Sequence, residues 1–241
     1  GKYTGGTPHP NAFYLGDPLF HGFRKETAQI PLLVGSVFGE FTSFAPLPYD
    51  RENLSEETQE GMIRKTLGEE IANALIPLFR EAYPERKTID LLRLDFVFRA
   101  PEIRYIRERS RLNSSTWSYL FNQDQPIDGG NTPWHCCDIP YFFRNIDLVE
   151  YPHGDQSEPD LAYRLQDEAF GSLLAFARTG NPKNAAIPEW PACRPGREAV
   201  LVIDRNTRVK ENFDHRLQEA CVRSAEEIIR RMSGNAGDIQ H

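Results

Sequence analysis

Ile30-Pro-Leu-Leu-Val-Gly-Ser-Val37 is the stretch on which the fold turns. It is a continuous apolar run, too short for a globular helix and rich in branched side chains. Such a run reads as a strand buried within a parallel sheet, with Pro31 at its first residues, where a missing N–H is tolerated. A strand of that kind needs neighbours to satisfy its ladder and cover its edges. Phe38-Gly-Glu-Phe41 follows at once and sets the carboxylate of Glu40 at the strand's exit.

Two more strands are expected further along. Ser115-Thr-Trp-Ser-Tyr-Leu-Phe121 alternates aromatics at Trp117, Tyr119 and Phe121, and Ala199-Val-Leu-Val-Ile-Asp204 is a second apolar run with Arg205-Asn206 as its turn. Helices fill the intervals. Ser55, with Glu56 and Glu57 behind it, is a helix start, the hydroxyl capping and the acids sitting in the positive first turn. Ile63, Leu67, Ile71, Leu75 and Leu78 follow at helical spacing, with a bend or break implied at Gly68 and Pro77. Thr88 to about Ser110 reads as mostly helical and interrupted at Pro101. Its Arg- and Glu-rich face from Arg99 to Arg111 reads as solvated, ion-paired surface. Leu161 to Thr179 carries Leu165, Ala169, Leu173 and Phe176 on one face, and Gly180-Asn-Pro182 ends it, Gly at the left-handed cap and Pro beyond.

The last helix is expected from near Phe213-Asp214, with Leu217, Cys221, Ala225, Ile228 and Met232 as its packing stripe. Residues 1–29 read as a turn-rich lead-in and 233–241 as a frayed tail. Strand alternating with helix gives an α/β fold. Three strands are too few to shield the Ile30–Val37 run, so residues 1–241 read as part of one domain with an incomplete sheet.

Hydrophobic residues at 39% and charged residues at 26% fit a globular chain rather than a disordered one. The net charge of −7, with basic residues interleaved among acids, argues against a nucleic-acid partner. No apolar run approaches the roughly 20 residues of a membrane helix. The chain begins Gly1-Lys-Tyr-Thr-Gly-Gly, without Met and without signal-peptide anatomy. Cys136, Cys137, Cys193 and Cys221 form no CxxC pair and no zinc spacing. They are expected as free thiols in a reducing compartment, which places the protein in the cytoplasm, a Cys193–Cys221 bridge being the alternative.

Among six histidines, His135 is the candidate for chemistry. It lies in Thr132-Pro-Trp-His-Cys-Cys-Asp-Ile-Pro-Tyr-Phe-Phe143, past the aromatic strand, on a loop entered through Pro133 and left through Pro140. An imidazole on a stiff loop beyond a strand can move a proton near neutral pH. Open α/β sheets place their chemistry beyond the carboxyl ends of the strands, so Glu40 and His135 become a functional pair if their strands are neighbours. Glu40 would then hold one ring nitrogen and leave the other to act as base. A packed loop histidine is the competing reading.

At these residues the chain resembles the C-terminal part of the type-B carboxylesterases, the family of para-nitrobenzyl esterases and cholinesterases. Ile30–Ser36 followed by Glu40 is similar to the segment carrying the family's triad acid, and His135-Cys-Cys-Asp-Ile-Pro-Tyr-Phe-Phe143 to the one carrying its histidine. Phe176-Ala-Arg-Thr-Gly-Asn-Pro182 and Pro188-Glu-Trp-Pro191 are similar to its later helix end and Trp-Pro turn, so the resemblance runs from about Pro8 to Met232. It implies an α/β-hydrolase fold, serine-type hydrolysis of a carboxylic ester, Glu40 and His135 as catalytic acid and base, and Phe41 and Phe44 bordering the substrate pocket, with core packing as the alternative for Phe41. No metal or organic cofactor is implied. Two local departures stand out. The family's acid usually sits in Asp-Glu-Gly, whereas here it is Gly39-Glu40-Phe41, and the residue after the histidine is usually small, whereas here it is Cys136.

One departure is larger: no Gly-x-Ser-x-Gly and no oxyanion-hole glycine run occurs in the 241 residues, Asp128-Gly-Gly130 reading as a turn. Cys136 and Cys137 adjoin the histidine in sequence and read as packed thiols; Ser36 and Ser43 read as structural hydroxyls. The nucleophile is therefore expected on an upstream segment or partner chain, the N-terminal half of the same esterase, leaving this chain inactive alone. The alternative is a catalytically silent, cholinesterase-like binding or adhesion protein.

Overall fold

A computed structural model of the protein describes residues 8–40, 47–127, 130–153 and 157–235. Among them, the Ile30–Val37 run forms strand β1, Leu32–Val37, with Pro31 just ahead of it. The alternating aromatics form β2, Thr116–Phe121, and the third run forms β3, Ala199–Ile203. These three pair in parallel in chain order, Leu33 opposite Trp117 and Tyr119 opposite Leu201. A fourth strand, β4, Arg208–Glu211, returns antiparallel to β3. The turn expected at Arg205-Asn206 is thus the tip of a hairpin. The charged Arg-Val-Lys-Glu of β4 shows no alternation of apolar residues by which it could be read as a strand.

The pleat sorts side chains to two cores. Leu120, Val200 and Val202 face one side, under helices α2 (Glu56–Leu67) and α3 (Glu69–Ala82), whose Ile63, Leu67, Leu75 and Phe79 are fully or almost fully buried. Trp117, Phe121, Leu201 and Ile203 face the other, under Leu165 and Ala169 of helix α6 (Leu161–Thr179). Burying each such large apolar side chain is worth about 1.5–3 kcal/mol.

Local signals explain most boundaries. The Ser55 hydroxyl accepts the Thr58 amide at 3.2 Å and caps α2. Gly68, at φ +83°, separates α2 from α3, whereas Pro77 leaves α3 unbroken. Pro77 lies on the exposed face with Asn73 and Ala74, where water can satisfy the carbonyl that its ring abandons. The short helix Pro18–His21, here α1, and a 3-10 turn, Lys25–Thr27, give the lead-in more regular structure than its turn residues suggest.

The Thr88–Ser110 stretch is corrected. It is a 3-10 segment, Thr88–Arg93, and a separate helix α4, Arg99–Leu112, and the break falls at Leu94–Phe98. Pro101 sits in the first turn of α4, where its missing N–H costs nothing. The face of α4 is solvated only in part, at the exposed Arg104 and at the Arg111–Glu108 ion pair. Arg99, Glu102 and Arg109 are 1%, 7% and 4% exposed, because their partners come from distant segments.

Helix α5 (Ile139–Phe142) is one turn, and α6 spans Leu161–Thr179 with Gly180 in the left-handed conformation at its end. A side chain at Gly180 would meet Pro31 at 2.7 Å, so the cap also needs glycine for space. The last helical stretch breaks at Ser224 into α7 (His215–Arg223) and α8 (Ala225–Asn235), still presenting buried Leu217, Cys221 and Ile228 to the core. Ser233 to Asn235 are helical, against the frayed tail expected there. All four cysteines are free thiols, so Cys193 and Cys221 form no bridge. Among the described residues, no helix is long and apolar enough to cross a membrane.

Candidate active site

Beyond the carboxyl end of β1 the chain continues to pair for one more step. Gly39 bridges in parallel to Trp134, and the His135 amide donates to the Glu40 carbonyl at 3.1 Å. That backbone splice sets two residues 95 positions apart side by side. Glu40 Oε2 and His135 Nδ1 are 2.5 Å apart, a short charge-assisted contact. The other oxygen, Oε1, accepts the Val37 amide at 3.0 Å, which turns the carboxylate back over the strand end and fixes its plane. The two side chains differ sharply in exposure, 9% for Glu40 and 42% for His135. An ionised carboxylate can only accept, so Nδ1 carries the proton toward Glu40 and Nε2 is the ring's basic position.

The histidine loop is held from below. Its next residue, Cys136, has φ +67°, a backbone region that favours glycine and penalises larger side chains. This is the physical reason for a small residue at that place. The Cys137 amide donates to the Trp134 carbonyl at 3.0 Å, and the Tyr151 hydroxyl donates to the Cys137 carbonyl at 3.1 Å. Asp138 is buried and accepts the Tyr119 hydroxyl at 3.0 Å. Burial raises its carboxyl above the usual range, and the charge of Glu40 adds to that. Tyr119 reaches it only because β1 carries glycine opposite. A Cβ on Gly35 would fall 2.4 Å from the Tyr119 ring.

The imidazole faces the ring of Phe98, centroids 6.3 Å apart and planes 21° from parallel. Phe98 is placed by Asp95, whose carboxylate caps the amides of Val97, Phe98 and Arg99 and whose own amide donates to the Phe38 carbonyl at 2.8 Å. An open cavity of about 500 Å³ reaches Glu40, walled also by Val34, Ser36, Phe98, Pro101, Glu102 and Tyr105.

Of the residues singled out from sequence, Glu40 and His135 are therefore brought together. Phe41 and Phe44 lie outside the described residues, as do Ser43 and Asp128. Ser36 donates its hydroxyl to Glu102 at 2.8 Å, as a structural hydroxyl does. Neither neighbouring thiol is activated. Burial raises the Cys136 and Cys137 thiols above their ordinary value, with Asp138 adding to it, and a thiol that holds its proton is a poor nucleophile. Sequence reasoning missed Tyr119 and Phe98 as supports. The signal for Tyr119 was Gly35, a gap in an otherwise bulky strand, though the register that pairs them is a tertiary fact.

Residues 8–220 match the sequence pattern described as the carboxylesterase family. Over 184 residues the chain is 25% identical to the para-nitrobenzyl esterase of Bacillus subtilis strain 168, a match covering 76% of this chain and 36% of that protein. An esterase from Clostridium hathewayi, reported to hydrolyse aliphatic aromatic polyesters, superposes with a TM-score of 0.82 at 36% identity, covering 90% of this chain and 42% of that one. The carboxylesterase EST55 of Geobacillus stearothermophilus shares the fold, with a TM-score of 0.55 at 23% identity, over 84% of this chain and 42% of its own. This chain thus spans about two fifths of these α/β-hydrolase-fold esterases. A pattern match over most of its length, with a solved esterase superposing on nine tenths of it, places this chain in the carboxylesterase family.

Proposed function

We propose that this chain is the C-terminal part of a serine carboxylesterase and supplies the acid and the base of its catalytic triad. His135 Nε2 takes the proton of a serine hydroxyl as that oxygen attacks the ester carbonyl, and the resulting imidazolium is stabilised by Glu40 through Nδ1–H. The same proton then passes to the departing alkoxide, which leaves as the alcohol. In the second half His135 deprotonates a water that attacks the acyl-serine, and returns the proton to the serine as the carboxylic acid departs. The chain order, acid before histidine, is that of the α/β-hydrolases. The observation that carries this reading is the 2.5 Å Glu40–His135 contact beyond the ends of parallel strands, with the imidazole half exposed.

The serine and the oxyanion hole belong, in this proposal, to the N-terminal half of the same esterase, on an upstream segment or a separate chain. Strand β1 supports this. It pairs on one side only among the described residues, its Leu-Leu-Val-Gly-Ser-Val carries no charge to blunt an edge, and Ile30 beside it is 57% exposed. Phe41 and Phe44, placed by sequence just past the acid, would border the acyl pocket. The substrate class is a carboxylic ester.

Hydrolysis of a chromogenic ester by this chain, by the N-terminal half, and by the two together tests the proposal. Activity only in the combination is expected. A fully active lone chain would overturn the division of labour. A silent combination that also resists a serine-reactive phosphonate would point instead to the binding or adhesion protein.

A further inference from the structure

Behind the site lies a closed ring of charges that the triad chemistry does not use. Arg51 donates from Nε and Nη2 to both oxygens of Asp90, each at 2.6 Å, and from Nη2 to Asp124 at 2.8 Å. Arg86 donates from Nη1 to the same Asp90 at 3.1 Å and to the other oxygen of Asp124 at 2.8 Å. Two guanidinium groups and two carboxylates alternate, so every charge has an opposite on both sides. The Arg51, Arg86 and Asp90 side chains are 5%, 3% and 1% exposed, and only Asp124, at 36%, meets solvent.

The ring's place in the chain gives it meaning. Arg51 lies eleven positions beyond Glu40, and Asp124 eleven positions before His135. The two segments that meet at the Glu40–His135 contact therefore meet again, at the same distance along each, through the Arg51–Asp124 pair. Both contacts are anchored to the end of the sheet. The Arg86 guanidinium lies over the ring of Phe38, 3.9 Å from its centroid, two residues before Glu40. It also holds Asn122, the first residue after β2, through Oδ1 at 2.8 Å and the carbonyl at 2.7 Å. From the same 3-10 segment as Asp90, Arg93 reaches the Asn131 side chain at 3.3 Å on the approach to His135.

We propose that Arg51, Arg86, Asp90 and Asp124 are positioning residues for the Glu40–His135 pair, tying Phe38 beside the acid and Asn122 and Asp124 on the histidine side to one rigid ring so that the carboxylate and the imidazole stay in register. They touch neither substrate nor reacting atoms. The pair needs such support because a short contact between two loop residues tolerates little drift, and a misplacement of about 1 Å can cost about a hundredfold in rate. The planar fork of arginine suits the task, since bidentate binding fixes orientation as well as distance. In its catalytic consequence this inference rests on the esterase reading; in its geometric one it does not.

The experiment compares Asp124→Asn, Asp124→Glu and Arg51→Lys with the wild type in the assembled esterase. It reads thermal unfolding, the low-field proton resonance of His135 Nδ1, and kcat and KM. Asp124→Asn leaves Arg51 and Arg86 paired with Asp90 and is expected to fold. It should shift or broaden the His135 resonance and lower kcat by about tenfold with KM changed by less than about twofold, and Asp124→Glu should restore most of both. Arg51→Lys should behave like Asp124→Asn. Folded variants whose His135 resonance and kcat match the wild type would overturn the proposal, whatever their melting temperature. If the wild type hydrolyses no ester and the resonance still responds, the esterase reading fails while the clamp stands.

Discussion

Two clusters of opposite charge flank the start of α4, and they are built for opposite ends. Arg99 is sealed in the core, with Nε and Nη2 on the two oxygens of Asp214 at 2.7 and 3.2 Å and Nη1 on Glu102 at 3.1 Å. Ser36 and Ser118 donate to the oxygens of Glu102 at 2.8 and 2.6 Å, and the Tyr83 hydroxyl reaches Asp214 at 3.4 Å. Both carboxylates are held from several sides, Asp214 fully buried and Glu102 nearly so. Glu40 and His135 are a pair of the other kind, a buried acid whose partner is half exposed. A cluster closed on all sides fixes which packing is native, at the expense of desolvation. A pair closed on one side keeps its geometry and can still hand a proton to something outside. Position relative to the sheet decides which is which. The Arg99 cluster lies against β1 and β2, whereas the Glu40–His135 pair lies beyond their ends.

Substitutions in the two clusters should separate cleanly. His135→Ala in the assembled esterase should lower kcat by about 10⁴-fold with melting temperature nearly unchanged, because a half-exposed side chain holds little of the fold, and the isosteric Glu40→Gln should lower kcat by about 10³-fold. Steady-state kinetics beside thermal unfolding checks this, and a loss of folding in His135→Ala would dissolve the contrast. Arg99→Met should do the reverse. Removing the cation strands Asp214 and Glu102 in the core and should cost about 3–5 kcal/mol in denaturant unfolding, while protein that remains folded keeps its Glu40–His135 contact.

Gly35→Ala tests the link between the sheet and the site. Its Cβ would crowd the Tyr119 ring, so about 1–3 kcal/mol of stability should go, together with part of the activity as the Tyr119–Asp138 hydrogen bond is displaced. A variant as stable and active as the parent would show that Tyr119 does not hold the histidine loop. The smallest effect is a pH dependence at Asp138. Its carboxyl is raised in the fold, so its contribution to stability is complete below the ordinary value of about 3.9 and is lost as pH rises through the raised one. The stability difference between the wild type and Asp138→Asn should therefore move against the wild type with rising pH across that window. Unfolding curves at several pH values show it, and a flat difference would mean that Asp138 titrates as an ordinary surface acid.

Much of this was legible in the sequence because it is written locally. The β1, β2 and β3 runs, the Ser55 cap, the full extent of α6 and the Gly180 stop all follow from periodicity and backbone preference within a few residues. Glu40 and His135 could be singled out because each sits at the exit of such an element, and the resemblance to a known family joined them. What stayed hidden depends on partners far along the chain. Arg99 looks like surface until Asp214, 115 positions away, is placed beside it. Its neighbours Glu102 and Arg109 are likewise buried by contacts that no local pattern records. β4 was missed because a short charged strand owes its conformation to pairing with β3 rather than to its own side chains. The break at Ser224 was missed because the apolar stripe runs across it without interruption.

The account rests on His135 being the base for a serine hydroxyl, with Glu40 behind it. The most direct measurement is the rate at which a serine-reactive phosphonate labels the assembled esterase, compared among wild type, Glu40→Gln and His135→Ala at equal folded concentration. Prompt stoichiometric labelling of the wild type, slowed by about 10³-fold or more in both variants, is the predicted result. Labelling at the wild-type rate in His135→Ala would contradict it.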